Sequence, residues 1–379
     1  PYNIADPERE IDDLVVRKAD VFREKQDINL LTGHRAASID RSKKTVTGIR
    51  TNGSEFIFPY DNLLIATGAA PVMPDLPGFD LPGVLALKSL HDGRIIRQFI
   101  AENHVKKAVI IGMGYIGLEM CEALCARSIQ VEMVKPGPVF LPWMKNELSS
   151  VVMEEVKSNN VALFPGHKIQ KIESKEDGLS VVCDGISLEG DMVLVAIGVT
   201  PNSGLAKDAG LDLSIQDAIA VDKQLCTSDP SIYSAGDCAD AFHVVTGGRT
   251  WIPLALRANR AGWAVADNVS GKTVALPGIS GTAVFKVFDL EVARTGLSAV
   301  DASASGFNPE EVVITTRSRA HSHPGSGGIT VQMTGDKTTG KLLGCRMVGR
   351  EGVAHRINAA AVALHAGMTV KEFFQSDLA

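Results

Sequence analysis

Residues 105–124 read VKKAVIIGMGYIGLEMCEAL, and this stretch decides the fold. Ala108 to Ile111 form an unbroken apolar, β-branched run, the pattern of a parallel strand buried on both faces. Leu118 to Leu124 are strong helix formers. Between them Gly112, Gly114 and Gly117 fall as G-x-G-x-x-G, with Tyr115 and Ile116 inside the turn. The first glycine permits the tight turn and the second lets main chain approach a pyrophosphate. The third allows close helix–strand packing, so that helix N–H groups aim at the phosphates. A second strand is expected over Ile129 to Val134. With strand, turn, helix and strand in order, dinucleotide binding outweighs a merely structural glycine turn.

At the end of the second strand an acidic residue would accept from the ribose 2′-OH of NAD, whereas a cation suits a 2′-phosphate. Lys135 occupies that position. It tilts the reading towards NADPH or dual use, and a solvated lysine before Pro136 is the alternative.

The fingerprint begins more than a hundred residues into the chain, so other structure precedes it. With 379 residues, two or three domains are expected. Apolar residues make up 45% and charged residues 22%, and the net charge is −6, which offers no basic excess for nucleic acid. No apolar run approaches the ~20 residues needed to span a bilayer, so a cytoplasmic protein without a membrane partner is expected. The six cysteines, at 121, 125, 183, 226, 238 and 345, contain no Cys-x-x-Cys, and no metal site or dithiol motif is assigned. Cys121 and Cys125 share one helix face at a separation too long for an unstrained disulfide.

Three further segments look nucleotide-related. Tyr60 to Pro71 is a short buried strand followed by Ala66-Thr67-Gly68. Asp191 to Asn202 echoes it and ends in Ile197-Gly198-Val199-Thr200-Pro201-Asn202. Ile232 to Ala239 is a strand that delivers Asp237 after Gly236, where a carboxylate can accept from sugar or ribityl hydroxyls. Pro253-Leu254-Ala255 opens a helix of small residues whose N–H groups can approach a ligand.

In this order the segments resemble the pyridine nucleotide-disulfide oxidoreductase family, in its single-cysteine branch of coenzyme A-disulfide reductases, NADH oxidases and persulfide reductases. The resemblance implies an α/β fold of two Rossmann-like dinucleotide-binding domains, the second inserted in the first, with a C-terminal α+β dimerisation domain. It implies an FAD-binding domain in two parts, 1–101 and 213–278, an NAD(P)-binding domain at 102–212 and a dimerisation domain at 279–379. Thr67, Gly68, Gly198, Gly236 and Asp237 then belong to cofactor-binding motifs. Tyr115 would cover the flavin until nicotinamide displaces it, and Glu119 would face the nicotinamide. The helix end at Leu254 and Ala255 would face the flavin pyrimidine.

Pro1-Tyr2-Asn3-Ile4 resembles the tail that follows the redox cysteine in that branch. The resemblance therefore implies a chain that starts just after that cysteine, lacks both it and the FAD glycine turn, stops before a tyrosine-bearing segment, and is not a competent reductase by itself. In the expected interface domain the branch usually has Ala-x-Tyr-Tyr-Pro-Gly, where this chain has Ala320-His321-Ser322-His323-Pro324-Gly325. His323 is then a candidate proton donor to a leaving thiolate, because imidazole titrates near neutrality; an exposed loop histidine is the alternative. Strands are expected from Gly281 to Leu290 and on either side of the turn 335–340, and one helix from Gly352 to Phe374. The activity implied is FAD-dependent reduction by NAD(P)H of CoA disulfide, CoA persulfide or polysulfide in a homodimer. Reduction of O2 or peroxide, or a non-catalytic nucleotide-binding dimer, are the alternatives.

Overall fold

The computed structural model describes residues 1–320 and 322–378. The chain divides into two compact units. The first comprises Pro1–Glu10, Pro71–Gly198 and Ser280–Ala379, and the second Ile11–Ala70 and Val199–Ile279.

The first unit is built around a five-stranded sheet in the order Val84–Ala86, Met192–Val195, Lys107–Ile111, Gln130–Lys135, Ala162–Pro165, with every pairing parallel. It begins upstream of residue 102. The apolar run at 107–111 is buried because both faces of its sheet are covered. Ala108 and Ile110 pack with Ile96, Leu118, Leu148 and Val152 of the helices Leu90–Glu102, Tyr115–Cys125 and Asn146–Ser158. Val109 and Ile111 face a three-stranded antiparallel sheet, 169–190, through Ile169, Leu179 and Val181. Each such fully buried aliphatic side chain contributes ~1.5–3 kcal/mol. The Asp191 carboxylate fixes the start of the central strand, accepting from the N–H groups of Lys106 at 2.6 Å and Lys107 at 2.9 Å.

From residue 280 the same unit carries an antiparallel five-stranded sheet in the order Ala283–Val287, Leu290–Gly296, Leu342–Gly349, Gly328–Asp336, Pro309–Arg317. Its central strand, Leu342–Gly349, is buried at every residue. The segment expected as one strand to Leu290 turns at Phe288, whose φ of 50° lies in the left-handed region, and Leu290 opens the next strand. The expected single helix from Gly352 to Phe374 is two helices, Val353–His365 and Val370–Gln375. Gly367 takes φ 66°, which ends the first helix. Thr369 then caps the second: its hydroxyl accepts from the Glu372 N–H, and the Glu372 carboxylate accepts from the Thr369 N–H.

The second unit contains an antiparallel meander, His34–Asp40, Thr45–Arg50 and Glu55–Pro59. It also contains a parallel pair, Leu63–Ile65 with Ile232–Ser234, and the 15-residue helix Ala255–Val269. Ile39, Ile65, Leu211, Ile219 and Ile232 form one core, and Val221, Leu225, Ala261 and Val265 another.

Candidate functional site

In the first unit the glycine turn lies at the carboxyl end of the central strand, where the chain proceeds to one side of the sheet and the neighbouring strand 192–195 lies on the other. This is the crevice in which open α/β sheets bind ligands. Each glycine is there for a measurable reason. Gly112 has φ 112°, and a Cβ on it would sit 2.3 Å from the Ala196 carbonyl oxygen. A Cβ on Gly117 would sit 2.7 Å from the Gly112 oxygen. Gly114 is exposed with nothing within 4 Å of a built Cβ, so open space adjoins the turn. Gly114 is also the N-cap of the helix Tyr115–Cys125 and supplies no side-chain acceptor. The first-turn N–H groups, Ile116 among them, are left to a ligand or water. This cradle fits a dinucleotide pyrophosphate.

Tyr115 is held in an aromatic cage. Its ring centroid is 4.8 Å from that of Phe285 and 6.0 Å from that of Trp143, and the Arg294 guanidinium lies 5.5 Å from both the Tyr115 and Trp143 rings. Its hydroxyl is buried with no hydrogen-bond partner, and burial pushes its pKa up. Beneath the cage, buried Arg346 donates to the Trp143 carbonyl at 3.0 Å, and burial pulls its pKa down to about 10. Glu119, half-buried on the same helix, has its carboxyl pushed up by burial. Lys135 ends its strand as expected, and its Nζ donates to the Val139 carbonyl at 2.7 Å, with burial lowering its pKa. Gly198, with φ 125°, accepts at its carbonyl from the Val72 N–H.

In the second unit the structure joins two segments that the sequence only paired by likeness. Thr67 Oγ1 donates to the Asn202 carbonyl at 2.6 Å, and Asn202 Nδ2 donates to the Thr67 carbonyl at 2.9 Å. The Asn202 N–H also donates to the Gly68 carbonyl. Gly236, with φ 88°, turns the chain so that Asp237 follows the strand Ile232–Ser234. The N-cap of the helix Ala255–Val269 is Leu254, whose aliphatic side chain cannot accept, and Ala255 is exposed. A carboxylate on a tight turn and an uncapped helix end fit the hydroxyls and the electron-rich ring edge of FAD.

His323 is exposed; its Nδ1 lies 2.6 Å from the Pro324 carbonyl. His321, in the same loop, lies outside the described residues. All six cysteines are free, with Cys121 fully buried and Cys125 half-buried. Among the described residues no three His, Cys, Asp or Glu side chains are grouped to hold a metal, and no helix is long and apolar enough to cross a membrane. Sequence reasoning missed Trp143, Arg294, Trp251 and Arg257. Their roles depend on long-range contacts, and the only local signal is an arginine inside the apolar opening of a helix.

Comparison with known proteins agrees with this geometry. The profile of the pyridine nucleotide-disulphide oxidoreductase family matches residues 3–262, and that of its dimerisation domain matches residues 282–379. A CoA-dependent NAD(P)H sulfur oxidoreductase of Pyrococcus furiosus is 35% identical over 362 residues, which is 95% of this chain and 80% of that protein. An NADH oxidase of Methanocaldococcus jannaschii is 32% identical over 373 residues, covering 98% of this chain and 83% of that one. The solved structure of an NAD-dependent persulfide reductase from A. fulgidus superimposes with a TM-score of 0.96 at 35% identity, covering 100% of this chain and 71% of that one.

Proposed function

Because the chain belongs to the pyridine nucleotide-disulphide oxidoreductase family, whose members use FAD and NAD(P)H, we propose that it serves the reduction of a small CoA-linked disulfide, persulfide or polysulfide. The observation that carries this reading is the 35% identity, over 95% of the chain, to a CoA-dependent sulfur oxidoreductase. A homodimer formed through residues 279–379 belongs to the same reading, as does a cytoplasmic location in which the free thiols persist.

In this reading residues 102–212 hold NAD(P)H. The turn at Gly112, Gly114 and Gly117 and the N–H groups of Ile116 and its neighbours bind the pyrophosphate, with Lys135 at the adenosine ribose. Glu119 and Tyr115 border the nicotinamide end. Residues 1–101 and 213–278 hold FAD. Asp237 accepts from ribityl hydroxyls, Thr67, Gly68 and Gly236 shape the main chain beside it, and the positive helix end at Leu254 and Ala255 faces the electron-rich edge of the ring. When bound, FAD supplies the two-electron step between the dihydronicotinamide and a sulfur acceptor.

His323 is the proton donor in this proposal. Its Nδ1 lies 2.6 Å from the Pro324 carbonyl and 3.4 Å from Arg319 Nη1, so the ring tautomer depends on which of the two it engages. An imidazole within reach of a leaving thiolate can supply its proton. His323→Ala slows turnover with a disulfide while flavin reduction by NAD(P)H continues. A variant with unchanged disulfide turnover removes His323 from the mechanism.

The 32% identity to an NADH oxidase supports a second reading, reduction of O2 or peroxide. For the full-length protein, comparing NAD(P)H consumption under argon with CoA persulfide, CoA disulfide and polysulfide against consumption with O2 alone separates the two. Sulfur-dependent turnover without O2 is expected, and turnover only with O2 would favour the oxidase.

A further inference from the structure

The loop that presents Asp237 is held from beneath by two side chains of the segment that follows it. Arg257, the third residue of the helix Ala255–Val269, is 8% exposed. Its Nη1 donates to the carbonyls of Gly236 at 2.9 Å and Ala239 at 3.0 Å, and its Nη2 donates to that of Asp240. Trp251 Nε1 donates to the carbonyl of Asp237 at 2.9 Å. The remaining carbonyl, that of Cys238, accepts from the Ile219 N–H at 2.9 Å. Five consecutive carbonyls, 236 to 240, are thus all taken by the protein. In a trans peptide the following N–H is antiparallel to the carbonyl, so the main-chain N–H groups of Asp237 and Cys238 point away from Arg257 and Trp251.

The nearby Asp240 carboxylate, fully buried, is occupied by the Ser214 hydroxyl at 2.6 Å, the Val221 N–H at 2.9 Å and the Arg249 guanidinium. Arg257 donates to neutral carbonyls, and the Asp240 and Asp237 carboxylates lie close enough to favour its charge. Its cation stands in the first turn of the helix and adds to that positive end.

We infer that Arg257 and Trp251 are positioning residues for the flavin: they set the Asp237 loop against the ribityl chain, and the Arg257 cation raises the reduction potential of the flavin held there. The inference rests on the FAD reading of that loop. Removing the guanidinium releases three carbonyls at once and takes a buried positive charge away, so binding and potential should both change. Trp251 bears no charge and should affect binding alone.

The test is reconstitution of the deflavinated full-length protein with FAD, read by flavin fluorescence, and dye-equilibrium potentiometry of the holoprotein. For Arg257→Met we expect the FAD Kd to rise about tenfold and the flavin potential to become more negative. Arg257→Lys should return the potential towards wild type while FAD stays more weakly bound. Trp251→Phe should weaken FAD without moving the potential. If Arg257→Met does not fold, the Lys and Phe variants carry the comparison. A wild-type potential in Arg257→Met, or an Arg257→Lys potential as negative as that of Met, would overturn the electrostatic role. Unchanged FAD affinity in both Arg257→Lys and Trp251→Phe would overturn the positioning role. A wild-type protein that binds no FAD, or an Asp237→Asn variant that binds it as well as wild type, would instead overturn the flavin reading on which both roles depend.

Discussion

Thr67 and Asn202 hold each other by reciprocal side-chain to main-chain hydrogen bonds, 2.6 Å in one direction and 2.9 Å in the other, across 135 residues of sequence. Each side chain satisfies a carbonyl in the other's turn, and an unmade bond of this kind costs about 1 kcal/mol. Asn202→Ala and Thr67→Val should each lower unfolding free energy by about that amount, measured by urea denaturation. The double variant should lose less than the sum, because the two bonds share one geometry. Strict additivity would show that the two bonds act independently.

Gly114 and Gly117 of the nucleotide turn should respond differently to alanine. A Cβ at 117 meets the Gly112 oxygen at 2.7 Å, so Gly117→Ala should destabilise the fold by ~1–3 kcal/mol. A Cβ at 114 meets nothing within 4 Å, so Gly114→Ala should keep its melting temperature and instead weaken NAD(P)H, by isothermal titration, roughly tenfold. Equal thermal losses in the two variants, with nucleotide binding intact, would mean that the turn serves packing alone.

Lys135 is tethered to Val139, with its charge at the end of the second strand. Lys135→Glu puts a carboxylate where a 2′-phosphate would lie, and the ratio of NADPH to NADH affinity should fall about tenfold or more. An unchanged ratio would confine Lys135 to holding its own loop.

Burial pushes the Glu119 carboxyl above its usual value of 4.5. Between that value and its raised native value the folded chain binds more proton than the unfolded one, so the stability contributed by this site falls as pH rises. Glu119→Gln removes that slope. Relative to wild type, the variant should gain stability in urea denaturation as pH rises above 4.5; a difference that does not change with pH would contradict the assignment.

The parallel strand and its glycine turn were legible in sequence because local pattern determines them. Buried Ala108, the β-branched residues at 109–111 and the spacing of Gly112, Gly114 and Gly117 suffice. The break in the last helix was readable in principle, since Gly367 precedes Thr369 and its Glu372 partner, but helix-forming residues on both sides masked it. The turn at Phe288 has no such signal, because a phenylalanine in the left-handed region is set by the hairpin around it. The cage around Tyr115 and the clamp beneath Asp237 were invisible for a different reason. Trp143, Phe285 and Arg294 meet Tyr115 only through tertiary packing, and Arg257 looks like any helix arginine until its carbonyl partners are known.

The measurement closest to the central claim is an anaerobic titration of the purified full-length protein followed by its visible spectrum. An FAD- and NAD(P)H-dependent sulfur reductase predicts flavin absorption that NAD(P)H bleaches, and that a CoA persulfide or disulfide then restores without O2. A protein that takes up FAD but is not bleached by NAD(P)H, or that is colourless after reconstitution with FAD, would contradict the account.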